Sequence, residues 1–183
     1  MNDDAQQRAL ETWHCARQAL GGEIAALEFS DIESAVVLGD QAEPASVISF
    51  RLSLTDLARK YFNAELPGEA AIEAAIAEVE ERVMPLRNLF ASGARCVTCD
   101  DRVRAIAGVL GPVDGPWATV SIDAVEHVFN RWVSVALGRP ATQDALPTSG
   151  EFAASLLVLR EWLHHLSLTE ITVCTAPGEC ARR

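Results

Sequence analysis

The chain has 183 residues, 49% of them apolar, and its 26 acidic against 15 basic side chains give a formal net charge of −11. That length and apolar content fit one globular domain with a real core and exclude a disordered chain. The acidic balance weighs against a nucleic-acid or anionic-membrane partner, since both need clustered Lys and Arg.

The opening residues Met1 to Arg8 are polar and acidic, without the basic and apolar regions of a secretory signal. No apolar run approaches the ~20 residues of a membrane helix. A cytoplasmic protein is expected. In a reducing compartment its five cysteines would be thiols or metal ligands.

In chain order, residues 5–20 carry apolar residues at helical spacing, with Asp3 and Asp4 at the dipole-favoured end and Gly21-Gly22 as the stop. Ile24, Leu27 and Phe29 fit helix and strand equally. Residues 33–38 and 45–52 read as two strands joined by a loop holding Pro44. Leu54 to Phe62 reads as a short helix. Ile72, Ala75, Ile76, Val79 and Val83 form the stripe of a stronger one, opened by Pro67-Gly68, ringed by glutamates and ended by Pro85.

Thr98-Cys99-Asp100-Asp101 has capping-box form and predicts a helix through Leu110. Ser121 to Leu137 predicts another, stopped by Gly138 and Pro140. Thr148-Ser149-Gly150-Glu151 introduces a last helix, Phe152 to about Leu166, apolar nearly all round. Thr169 to Val173 fits a strand. Residues 174–183 hold Pro177 and Gly178 and read as a tail, possible disorder included.

Three patterns bear on chemistry. Cys96 and Cys99 form a CxxC, and with Cys174 and Cys180 they supply four thiolates that could hold Zn²⁺ tetrahedrally, although five residues separate the second pair. The same CxxC would suit a dithiol site only with a strand before it. Glu11/His14 and Glu161/His164 repeat the Glu-x-x-His spacing of carboxylate-bridged metal bundles, with Glu126, Glu73 or Glu80 as further ligands. Glu126, His127, Asn130, Arg131 and Ser134 line one apolar helix, and Arg160, Glu161, His164 and His165 cluster on the other. If those helices pack, Arg160 meets Glu126 and Arg131 meets Glu161. Glu161, His164, His165 and His127 are then the acid–base candidates. No serine elbow, phosphate-cradling glycine loop or dinucleotide fingerprint is present.

The expected architecture is a single α+β domain over residues 1–173. Five or six helices would pack around the 121–137 and 152–166 pair, beside a small two- or three-stranded sheet; an all-α domain is the alternative. The expected function is that of a cytosolic, non-catalytic accessory or assembly protein. It would act through a helical surface, as a homo-oligomer or with a protein partner, because two helices are too apolar for one-sided burial. A metal protein, with Zn at the cysteines or an ion at the Glu/His cluster, is the second reading, and a metal-free small-molecule enzyme the third.

Overall fold

A computed structural model of the chain describes residues 3–63, 67–90, 93–111, 115–140 and 146–176. The elements follow as α1 (Asp3–Leu20), β1 (Ile24–Glu28), β2 (Ser34–Gly39), β3 (Ser46–Phe50), α2 (Leu54–Tyr61) and α3 (Glu69–Val83). A 3-10 helix (Met84–Leu89) leads to β4 (Arg95–Thr98), α4 (Asp101–Leu110), β5 (Trp117–Ser121), α5 (Ile122–Ala136), α6 (Gly150–His165) and β6 (Glu170–Cys174).

The six strands form one mixed sheet in the order β3-β2-β1-β4-β6-β5. β1 is parallel to β4 and β4 to β6, whereas β2 and β5 run antiparallel to their neighbours. The carboxyl ends of β1, β3, β4 and β6 therefore share one rim. This corrects the expected small sheet and excludes the all-α alternative. Three strands escaped the sequence patterns for a common reason. β1 and most of β4 are buried on both faces, so they show no apolar–polar alternation. β5 is a short edge strand in which only Val120 is buried.

Residue parity divides the core in two. Ile24, Ala26, Ala35, Val37 and Val97 face α1, which lays Ala5, Ala9, Trp13 and Ala16 onto them. Ala25, Leu27, Val36, Leu38, Cys96, Ile171 and Val173 face the opposite layer, where α2 to α6 gather. Gly39 permits the close approach on the α1 side, since a Cβ there would lie 2.9 Å from the Ala45 nitrogen and 3.2 Å from the Trp13 ring.

Helix α6 is the hub of the larger layer, in contact with α2, α3, α4 and α5. That explains its all-round apolarity within the chain itself. Trp162 meets Phe29, Phe50 and Phe90 at ring-centroid distances of 5.4–6.0 Å. Caps are where short polar residues allow them: Ser53, Ser121 and Ser149 each accept from a backbone N–H of the first turn. At α4 the cap is Asp100, not Thr98, because Thr98 still belongs to β4.

Of the segment expected as a tail, residues 174–176 are described and the rest lies outside the described residues. Cys174 closes β6, and Thr175 is tied to Pro116 and Gly115 by hydrogen bonds of 2.9 and 2.5 Å. Among the described residues no helix is long and apolar enough to cross a membrane.

Candidate active site

β1 turns back into β2 on one side of the sheet, while β4 leads into α4 and toward β6 on the other. In open α/β sheets, ligands bind beyond the carboxyl ends of neighbouring strands at such a switch point. The residues there are Glu28 at the end of β1, the turn Phe29–Glu33, Thr98 to Asp100 at the β4–α4 junction, and Arg8 and Thr12 from α1.

Glu28 is buried, 5% exposed, on the α1 face. Arg8 Nε donates to its Oε1 at 2.6 Å, and the same guanidinium also pairs with Asp4. Asp100 is 2% exposed. Its Oδ1 accepts from the Arg102 backbone N–H at 2.7 Å, and its own N–H donates to Thr98 Oγ1 at 3.0 Å. Among the described residues the buried Asp100 Oδ2 has no hydrogen-bond partner; Arg102 Nη1 lies 3.7 Å away.

Loss of water, then the Asp100 charge, push the Glu28 carboxyl up to about 7, against the pull of Arg8. Burial also raises the Asp100 carboxyl, against the helix-end N–H groups and Arg102. The Glu28 carboxyl so placed keeps its proton well above the ordinary carboxylate range.

The neighbouring turn is stitched by short side chains. Ser30 Oγ accepts from the Ile32 and Glu33 N–H groups and donates to the Glu33 carbonyl. Ser53 Oγ donates to the Asp31 carbonyl, and Thr55 Oγ1 to Asp31 Oδ1 at 2.9 Å. Arg102 Nη2 donates to that same Oδ1 at 2.6 Å, so the exposed Asp31 carboxylate faces a half-buried guanidinium across the rim.

The residues expected from sequence fall elsewhere. Cys96 and Cys99 point to opposite faces of β4: Cys96 into the α6 layer against Trp162, Cys99 toward Thr12 and Cys174. Burial pushes both thiols up to about 12. Cys180 lies outside the described residues. Among those described, no three His, Cys, Asp or Glu side chains could hold a metal ion, and the zinc expectation is withdrawn.

The two Glu-x-x-His pairs lie on α1 and α6, on opposite faces of the sheet, and do not converge. The α5–α6 cluster does assemble. Glu161, 1% exposed, pairs with Arg160 and lies 3.0 Å from His165 Nε2. Arg160 stacks over Phe129, reaches Glu126 at 4.0 Å, and so makes the expected contact between the helices. His164 packs edge-on against His165, whereas His127 is exposed apart from them. No contact joins this cluster to Glu28 or Asp100 among the described residues. Sequence reasoning missed that carboxylate pair. The available signal was an ionisable residue closing the apolar run Ile24–Leu27.

No family model matches the chain, and no curated protein does. Solved structures do. The Aquifex aeolicus Ppx/GppA phosphatase superposes with a TM-score of 0.75 at 13% identity, covering 92% of this chain and 59% of that one. An exopolyphosphatase-like protein gives 0.69 at 13%, and an exopolyphosphatase from Cytophaga hutchinsonii 0.65 at 15%, each covering 93% of this chain and 60% of the other. The chain thus has the α/β fold of these phosphatases and spans about three-fifths of their length. The expectation of a non-catalytic accessory protein is corrected on this finding: the fold is one that carries enzymes. The apolar helix that motivated a helical interaction surface is covered within the chain.

Proposed function

We propose that the chain is a phosphate-ester or phosphoanhydride hydrolase whose reacting groups sit at the carboxyl ends of β1 and β4. The observation that carries the reading is a buried carboxyl, Glu28, held near neutrality by burial beside Asp100. A group of that kind exchanges a proton at physiological pH, which an ordinary surface carboxylate does not do. The names of the structural neighbours supply the substrate class, with a chain of linked phosphates as the first choice.

In this reading Arg102 receives the terminal phosphate in place of the exposed Asp31 carboxylate. Water attacks the phosphorus, the new P–O bond forms, and the bridging P–O bond breaks. Ionised Glu28 takes the water's proton, and the leaving phosphate departs as an anion. Asp100 Oδ2, which lacks a hydrogen-bond partner among the described residues, orients that water.

The test is phosphate release from inorganic polyphosphate and from an aryl phosphate, with Glu28→Gln beside the wild type. The expected loss of kcat is about 10²–10⁴-fold, the range for an acid–base group, with an unchanged circular dichroism spectrum. Equal activity in Glu28→Gln, or none in the wild type on either substrate, overturns the reading.

A further inference from the structure

We propose that Arg8 is the positioning residue of this site, coupling the docking of α1 to the charge carried by Glu28. The inference rests on the hydrolase reading for its catalytic meaning and on geometry for its substance. Arg8 projects from the second turn of α1, and its guanidinium is clamped between two carboxylates. Asp4 is one turn back on the same helix, and Glu28 lies across the layer at 2.6 Å.

The helix itself is held by small apolar contacts. Ala5, Ala9, Trp13 and Ala16 lie on the sheet, and Arg17 reaches the Gly22 and Asp40 carbonyls beyond the far end. Arg8 is the one basic side chain of α1 with a contact to Glu28 among the described residues. Its position along the helix therefore sets where a positive charge meets that carboxyl.

The charged groups around Glu28 pull its proton equilibrium in opposite directions. From α1, Arg8 favours the ionised form, while Asp4 holds the far side of that guanidinium. At the β4–α4 junction Asp100 opposes ionisation and Arg102 favours it. Asp31, in the β1–β2 turn, pairs with Arg102. Removing Arg8 leaves burial and Asp100 less opposed, so Glu28 keeps its proton to higher pH. The proton-accepting form then becomes scarce at neutrality, and activity is lost through protonation state rather than through substrate contact.

The measurement is a pH titration of the Glu28 carboxyl carbon by NMR, on full-length protein labelled at glutamate side chains. Glu28→Gln assigns the signal. Arg8→Gln is expected to raise the midpoint above its wild-type value by about 1–2 pH units, the size of a nearby opposite charge. Arg8→Lys is expected to return it partway and also serves if Arg8→Gln does not fold. The acid limb of kcat/KM should move by the same amount. A midpoint unchanged in both variants overturns the inference. An inactive wild type overturns the hydrolase reading alone, since the titration needs no substrate.

Discussion

Glu28 follows four buried apolar residues on a central strand, a place where an acid is costly unless its proton or a partner neutralises it. Here both devices operate: Arg8 pairs with one oxygen, and burial beside Asp100 raises proton affinity. The consequence for stability has a definite sign. The folded carboxyl binds its proton up to about 7, above the ordinary carboxylate range. The stabilisation from this group is therefore complete in acid and is lost as pH rises toward and through 7. The melting temperature of the wild type should fall between about pH 5 and 7.5 with a slope that Glu28→Gln reduces. Equal slopes in the two proteins would contradict this placement. Residues 24–28 offer only one signal of this, an acid closing an apolar run, because the segment lacks the alternation that would mark it as a strand. The CxxC, by contrast, was plain in sequence and misleading in chemistry, because strand parity sends Cys96 and Cys99 to opposite faces.

Among the elements, the helices were the readable part. Their apolar periods and polar caps are local properties, and α1, α2, α3, α5 and α6 lie within a few residues of where those signals put them. α6 shows what the pattern does not contain. Its apolarity on every side fits either a central helix or a surface awaiting a partner, and the structure decides for the first: four helices of the same chain and the Phe29–Phe50–Phe90 cluster occupy it. Trp162→Ala should cost about 3–5 kcal/mol in urea unfolding, the range for a buried large aromatic. A loss below about 1 kcal/mol would contradict its central place. The start of α6 is as constrained as its middle. A Cβ at Gly150 would overlap the Phe62 carbonyl oxygen, so the helix begins tightly against the end of α2. Gly150→Ala should destabilise by about 1–3 kcal/mol, despite alanine's better helix propensity. A stabilised Gly150→Ala in the same unfolding series would show that this contact is loose.

At the scale of the whole molecule, the site exists only through strand order. Glu28 and the Asp100–Arg102 junction come from separate stretches of chain and meet because β1 pairs with β4, not only with β2, while α1 docked on the sheet brings Arg8 to them. No local pattern encodes that pairing. The strands at residues 33–52 and 169–173 are legible in the sequence, and the three others turn a small appended sheet into the backbone of the fold. The same topology separates the carboxylate pair from the Glu161–His165 cluster, which the sequence had offered as the reactive centre. The central claim is thus one of place: a phosphate ligand binds where β1 and β4 end. The most direct measurement is a backbone-amide NMR titration of the full chain with inorganic triphosphate. The account predicts that the largest shifts fall in residues 28–33 and 98–102. Shifts centred on residues 160–165 instead, or none at millimolar triphosphate, would contradict it.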